Sequence, residues 1–503
     1  MLLTEKYKKQ ITGIISCYDR VILQSTLSQW GYAEGMTSYS VNNNIRIFDF
    51  PSFAQSLRDS LNEIILSVAK ENNLQIEYIR RPSTFSKESN VQKTITEKNI
   101  QQGIVKIYSA LESCLYYKPY YNKSTGISSL RTKEGICLHY YIYFIDKEYG
   151  LCFLRIPTYA PFRLQFYFNG HNLLENKLKK KDVSYSMMDN AFLNIEDFEK
   201  AQLLSDNFKV EDLHQFLNLL TDKYLPFLKK YNQTFRWSIM QAEYSTDIIF
   251  NRQSDFQLFY QDLIYKVALS VKPDNISTFL GKKFSPRYLG ETGNSFINSR
   301  ILGTRIKHRK GDNYIKIYDK FGTILRIETT VNSVTDFQHF RQIDKKDGTR
   351  TTGIAKMKKN IYSLYALGQV LKGSNNRYLE FISAFDDNTQ GNKNLLKLSE
   401  PVYSADRSSK GFNFFNQFDL KLLHIISRGE FLINGIRNKD IRIFFKELSP
   451  SSISRILKRL LLHNIIKRAH KSYKYYLTTL GKAIIATALK LKEFLIIPKL
   501  SAA

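Results

Sequence analysis

A chain of 503 residues is too long for a single hydrophobic core, and its 43% apolar content suffices for about two to four domains of roughly 150 residues each. Its 74 basic residues against 46 acidic ones leave a formal charge of +28, which repels itself in a compact state unless a polyanion is the usual partner. An AT-rich genome would also enrich lysine and asparagine, but would not explain the missing acidic residues, so nucleic acid is the expected partner. Cys17, Cys114, Cys137 and Cys152 form no CxxC pair, and no run of about 18 apolar residues occurs, which excludes a motif-supported zinc site and leads us to expect a cytoplasmic protein without a membrane partner.

In chain order, Phe53 to Ala69 has apolar residues at helical spacing, and QIEYIR after it suits a strand. From Gly135 the segments CLHYYIYFID, LCFLRIPT and FRLQFYF read as an antiparallel meander. Helical spacing returns over 210–231 and 255–271. A second meander follows in TRIKHRKGDNYIKIYDKFGTILRIETTVN, where RKGDN and KFG are tight-turn sequences. The two blocks share a faint likeness, Asp146-Lys147 to Thr158 against Asp319-Lys320 to Thr329, as a pseudo-repeat would. KLKKK at 177–181 and DDNTQGNKN at 386–394 read as solvated connections, and SEPVYSADRSSK at 399–410 has linker chemistry and marks a domain boundary. The expected fold class is α+β: a body with two antiparallel β meanders separated by helices, plus a C-terminal winged-helix domain. The expected divisions are 1–134 (N-terminal α/β region), 135–400 (nucleic-acid-binding core) and 411–503 (DNA-binding domain).

After the linker, FDLKLLHIISRGEF, NGIRNKDIRIFF and SPSSISRILKRLLLHNIIKR read as three helices, the third opening with Ser449 as cap and Pro450 in its first turn. Its apolar face is Ile453, Ile456, Leu457 and Leu460. That leaves Ser451, Ser452, Ser454, Arg455, Lys458 and Arg459 outward, where they would enter a major groove. IIKRA and YKYYLTT then form a wing, with Arg468, Lys471 and Lys474 placed for phosphates. From Phe418 onward 11 Lys and 6 Arg face 2 Asp and 3 Glu, so 17 minus 5 leaves +12. This order of signals resembles the winged helix of MarR-like bacterial regulators over the last 85 or so residues. Winged helices also serve as protein adaptors; the basic surplus favours DNA.

Within the body, YIKIYDKFGTILRIETT puts Tyr318, Asp319, Arg326 and Glu328 on adjacent short strands, where alternation would bring Tyr318 close to Glu328. A tyrosine beside a metal-holding carboxylate is the chemistry of a DNA-nicking transesterase. The stretch IKIYDKFGTILRIETTV resembles the nicking domain of the replication initiators of rolling-circle plasmids and phages. The resemblance implies Glu328 and Asp319 as functional carboxylates and Mg²⁺ or Mn²⁺ as cofactor; it does not identify the nucleophile, for which Tyr318 is the candidate from strand alternation. Where such nickases carry a His-hydrophobe-His motif, LHYYIYF offers only His139, and His171 in FNGHN would have to supply a second imidazole. The plainer reading keeps Asp319-Lys320 as turn residues, Arg326 and Glu328 as a solvated cross-strand pair and His139 as a sheet histidine.

Two further segments carry nucleic-acid chemistry. Arg163, Gln165, Tyr167 and Asn169 would share one strand face suited to unpaired bases, or a polar face covered by a helix. Arg305, Lys307, Arg309 and Lys310, with His308 among them, form the densest basic patch outside the C-terminal module. No Walker loop, GxGxxG, HExxH or GxSxG occurs. The expectation is a DNA-binding protein of a mobile element or plasmid, a metal-dependent strand-nicking initiator; a non-enzymatic DNA-binding regulator and an RNA-binding effector are the alternatives. Oligomeric state is not encoded in any motif.

Overall fold

The computed structural model describes residues 2–80, 85–281, 291–299, 303–345, 347–386, 396–404, 407–469, 472–490 and 496–501. They fall into two compact units, Met1–Asp386 and Asp387–Ala503. The α+β expectation holds: helices and antiparallel strands are both extensive.

The first unit is organised by one sheet. Its strands are β1 (Ile11–Leu27), β2 (Ile76–Ile79), β3 (Gly103–Asn122), β4 (Ile127–Asp146), β5 (Gly150–Pro157) and β6 (Gln165–Asn169). After a separate hairpin of β7 (Tyr185–Met188) and β8 (Ala191–Ile195) come β9 (Phe235–Phe250), β10 (Thr292–Ser299), β11 (Gly303–Lys310), β12 (Asn313–Lys320) and β13 (Ile324–Val331). Eleven strands join in the order β10-β11-β12-β13-β9-β1-β6-β5-β4-β3-β2. All neighbours are antiparallel except β2 and β3.

Both expected meanders are present, but they are the two wings of this single sheet. The expected division at 134/135 falls inside β4. Each wing starts with a long strand, continues through a helix (Phe50–Glu71 or Gln253–Ser270), and returns as a meander whose last strand lies against the first. Thus β1 with β3–β6 and β9 with β10–β13 repeat one topology about the β1/β9 seam. The sequence likeness is not this repeat, because it matches the β4/β5 turn to the β12/β13 turn, whose topological counterpart is the β5/β6 connection.

One face of the sheet is apolar along its length. Val21, Leu23, Ile142, Leu154, Phe166, Ile248, Ile317, Leu325 and Ile327 pack there against the helices in one core. The helix Phe50–Glu71 shows why it docks: Pro51 sits in its first turn, and Ala54, Leu57, Leu61, Ile65 and Val68 recur at helical spacing on its buried side. Each of the leucine, isoleucine and valine side chains contributes about 1.5–3 kcal/mol by leaving water. The opposite face has two smaller apolar patches. At one, the helix Lys87–Lys98 lies with Tyr108, Tyr141, Tyr143 and Phe153. At the other, Ile15, Cys17, Ile249 and Ile324 are packed by β8 and the helices Gly170–Lys180 and Phe198–Asp206. Between them the face is polar, and there the candidate site lies. Lys177 to Lys180, expected in a connection, close the helix Gly170–Lys180, and 387–394, expected likewise, lie outside the described residues.

The second unit has helices Gln417–Ile426, Gly429–Asn434, Asn438–Arg442, Pro450–Leu462 and Thr479–Lys490 and a strand pair, Ile466–Arg468 with Tyr475–Leu477. Its own core includes Leu423, Ile426, Ile441, Phe445, Ile453, Leu457, Leu460, Ile466 and Ile485. Ser449 caps the helix Pro450–Leu462 by accepting from the Ser452 amide, as its sequence predicts. The unit begins at Asp387, earlier than the expected 411, and 402–404 pairs with 407–409 inside it.

Candidate functional site

The polar centre is created by an irregularity in β1. Tyr18 pairs with Tyr244 and Arg20 with Glu243, leaving Asp19 as an extra residue between them. Such a bulge turns two successive side chains toward one face. Asp19 and Arg20 therefore both stand opposite Glu243. On the next strands Thr330 pairs with Glu243, Glu328 with Ser245 and Arg326 with Asp247, so that Arg326, Glu328 and Thr330 line the same face.

At the base of the site, the wholly buried Arg326 donates to both oxygens of Asp247, at 2.7 and 2.6 Å, and to the Asn190 carbonyl at 2.7 Å. Its other terminal nitrogen lies 3.5 Å from Asp19. His171 fits between the acids, with Nδ1 3.2 Å from Asp19 and Nε2 3.6 Å from Asp247. The Nδ1 contact is an electrostatic one, since its angles do not make a hydrogen bond. Asp19 also accepts from the side-chain amides of Asn190 at 2.7 Å and Asn169 at 3.3 Å. Burial alone would raise the Asp19 and Asp247 pKa values, but the Arg326 charge, and with it that of His171, holds both below the ordinary carboxylate range. Burial likewise opposes charge on His171, yet its neighbours, Cys17, Asp19 and Asp247, raise its pKa well above the usual value.

His171 reaches this place because of a glycine. A Cβ on Gly170 would lie 2.1 Å from the Tyr18 carbonyl oxygen, so only glycine lets the helix Gly170–Lys180 begin against the bulged strand. Asn169 caps that helix by accepting from the His171 amide at 2.7 Å, which fixes the histidine beneath Asp19.

Nearer the surface, Asp19, Glu243 and Glu328 each bring a carboxylate oxygen within 4.8 Å of the others. Oxygen-only donors of this kind suit a hard divalent cation. The Lys316 ammonium donates to Glu328 at 2.5 Å and stands 3.7 Å from Glu243, supplying positive charge where such a cation would sit. Glu328 receives a second bond at 2.6 Å from the Tyr318 hydroxyl. Burial, then the Glu328 charge, raises the Tyr318 phenol well above its ordinary value. Burial and the Glu328 charge also push the Glu243 carboxyl up to about 6. Beside the carboxylates opens a cleft of about 1020 Å³ whose wall includes Tyr167, Asn169 and Asn190. No family model matches the chain, and no curated protein or solved structure matches it either.

Of the residues singled out from sequence, Tyr318 and Glu328 come together. Asp319 does not join them: it sits on the opposite side of β12 and accepts from the Gly322 amide at 2.8 Å, closing the β12/β13 turn. His139 is also removed, since it pairs with Pro157 at the end of β5 away from Asn169, and its Nδ1 meets the Cys137 carbonyl at 3.0 Å. Burial pushes its imidazole down to about 4. His171 lies at the base, where Asp19, Asp247 and Arg326 surround its ring, so it orients carboxylates and is not in the group able to hold a cation.

Gln165, Tyr167 and Asn169 share the polar face, with Arg163 just before them. Lys307 and Lys316 pair across β11 and β12, and Arg305 and Arg309 alternate with them onto that face. Lys310 does not: it is buried, and its ammonium donates to Ser277 at 2.6 Å, because the hairpin pairs it with Asn313 on the other side. In the second unit Ser451, Ser454, Arg455 and Lys458 are exposed and Ser452 is half-buried. Arg459 turns inward, donating to Asp419 at 2.7 and 3.0 Å and to the Gly411 carbonyl at 2.6 Å, which makes it a tether and not a groove residue. Arg468 is exposed and Lys474 half-buried, while Lys471 lies outside the described residues.

Asp19, Glu243 and Asp247 escaped the sequence reading because neither β1 nor β9 was expected as a strand, whereas Lys316 lies on the expected strand β12 and was passed over there. The signal was present: β1 and β9 each place acids inside a run of branched and aromatic residues, CYDRVIL and AEYSTDIIF.

Proposed function

We propose that this protein is a metal-dependent DNA-nicking protein of the replication-initiator type, in which the polar sheet face binds one strand and the C-terminal unit, a winged helix, holds duplex. The carrying observation is the 2.6 Å bond from the Tyr318 hydroxyl to Glu328, one of three carboxylates clustered closely enough to hold a cation. In the reaction the Tyr318 oxygen bonds to phosphorus, Glu328 receives the phenolic proton, and the phosphodiester P–O bond to the departing strand breaks, that strand leaving as a hydroxyl once protonated. The phosphotyrosine link keeps the bond energy for rejoining. Asp19, Glu243 and Glu328 would hold Mg²⁺ or Mn²⁺, which supplies charge neutralisation at the phosphate. Lys307, Arg305 and Arg309 flank the site with phosphate-binding charge.

The winged-helix reading is supported by the capped helix Pro450–Leu462, the strand pair after it, and a bridge from Ile436 to Tyr475 that adds a third short strand segment. No helix among the described residues is long and apolar enough to cross a membrane.

The test is incubation of the full chain with a single-stranded DNA library and Mn²⁺, followed by a denaturing gel. A covalent protein-DNA adduct is expected, absent in Tyr318→Phe and strongly reduced in Glu328→Gln. Intact DNA with every divalent metal tried would overturn the reading.

A further inference from the structure

The polar face continues away from the carboxylates along β1, where Arg20, Ile22 and Gln24 lie on one side of the strand, and Gln24 pairs with Gln165 of β6, itself opposite Arg155 of β5. There the strands end in a second cleft, of about 440 Å³, lined among others by Gln24, His139, Arg155, Tyr159, Arg163 and Gln165. At about 3.3 Å per residue it begins roughly 13 Å from the bulge.

Several of its polar groups lack full partners. Among the described residues the Arg163 Nε is buried without a hydrogen bond, and its guanidinium otherwise reaches only the Gly31 carbonyl at 3.5 Å. No side-chain hydrogen bond of Gln24 is found among the described residues; the Ser238 hydroxyl donates to its backbone carbonyl, not to its carboxamide. Among the described residues the Gln165 amide meets nothing better than the Met240 sulfur at 3.3 Å. With Nδ1 of His139 committed to the Cys137 carbonyl, Nε2 faces only the Cys137 sulfur among the described residues, at 4.0 Å. Arg155, by contrast, is neutralised by Glu112 at 2.7 Å, so the cleft carries little surplus charge.

Unmet donors and acceptors held beside an aromatic wall and around modest charge fit a nucleobase edge better than a phosphate, which would use donors alone. We propose that this cleft takes one unstacked base of the single DNA strand bound on the face, with Gln24, Gln165, His139 and Arg163 reading its edge and Tyr159 beside it. The cleft thereby gives the strand a base preference a few nucleotides from the carboxylates. This rests on the nucleic-acid reading above, and carboxamides are suited to the task because each offers a donor and an acceptor in one plane.

The experiment measures binding of the full chain to short single-stranded homopolymers of dA, dC, dG and dT, by fluorescence anisotropy at fixed salt with EDTA present, so that cleavage plays no part. The wild type should prefer one base by roughly tenfold, the discrimination of one good base-edge contact. In Gln165→Ala that preference should fall below about twofold, with the affinity for the weakest homopolymer nearly unchanged. Gln24→Ala, which removes a carboxamide with no hydrogen bond among the described residues, repeats the test without threatening the fold. Equal affinity for all four homopolymers in the wild type, or a preference that survives both substitutions, overturns the pocket. Absence of binding to any homopolymer overturns the nucleic-acid reading itself, and the pocket with it.

Discussion

Asp19 and Glu243 face each other across the two central strands because β1 carries one residue more than β9 at that point. The bulge sets an acid and the adjoining Arg20 side by side where a regular strand would have sent one of them into the apolar core. Glu328 completes the group from the next strand, and Arg326 and His171 below it provide the opposite charge that keeps Asp19 ionised.

The first prediction concerns pH. Burial and the Glu328 charge raise the Glu243 carboxyl from 4.5 to about 6, so its contribution favours the fold below 4.5 and is lost as pH rises through about 6. Asp19, held in the opposite direction, titrates in acid outside this window. Between about pH 5 and 7 the metal-free wild type should therefore lose more stability than Glu243→Gln, as read from urea midpoints. Mn²⁺ at the upper pH should restore the wild type and leave the variant unchanged. Parallel pH curves for the two proteins would contradict this account.

A second prediction concerns Arg326, which is wholly buried against Asp247. Arg326→Met would leave Asp247 and Asp19 without their main counter-charge, and uncompensated buried carboxylates cost about 3–5 kcal/mol. Chemical denaturation should show a loss of that order. A change within the ±0.5 kcal/mol or so usual for surface substitutions would mean that the pair is not buried as described.

How far the sequence carried these features depends on how local each one is. The β12/β13 hairpin could be read because turn residues, alternation and the hydrogen bond from Tyr318 to Glu328 lie within one short segment. The helix cap at Ser449 was equally local. Asp19, Glu243 and Asp247 come from strands more than two hundred residues apart, and nothing near either strand announces that they pair. Lys310 and Arg459 failed for a related reason: a basic side chain was taken as solvent-facing, yet Ser277 and Asp419, both distant in sequence, draw each inward.

A third prediction tests the approach of the helix Gly170–Lys180 to β1. In Gly170→Ala the new Cβ meets the Tyr18 backbone, not a flexible side chain, so the helix must shift, at a cost of about 1–3 kcal/mol. The shift would carry His171 away from Asp19 and Asp247. Melting should show a lowered Tm, and the imidazole, observed by NMR, should move toward an ordinary pKa. A variant with unchanged melting and an unaltered His171 titration would show that the contact can relax.

The last prediction separates two arginines on one helix. Arg459 joins the helix Pro450–Leu462 to Asp419 and to the carbonyls of Lys410 and Gly411, with its guanidinium 3.9 Å from the Phe412 ring centre. Arg455 is exposed, as are Ser451, Ser454 and Lys458 around it. Arg459→Ala should destabilise the second unit by about 2–4 kcal/mol, since Asp419 is buried and loses its charge partner. Arg455→Ala should leave melting unchanged and weaken binding to a preferred duplex by roughly tenfold, while affecting unrelated duplexes less. Differential scanning calorimetry and duplex titration of both variants give four readings. If Arg455→Ala changes neither affinity nor sequence preference, the exposed face of this helix does not enter a groove; if it lowers Tm as far as Arg459→Ala does, the two arginines share a structural role.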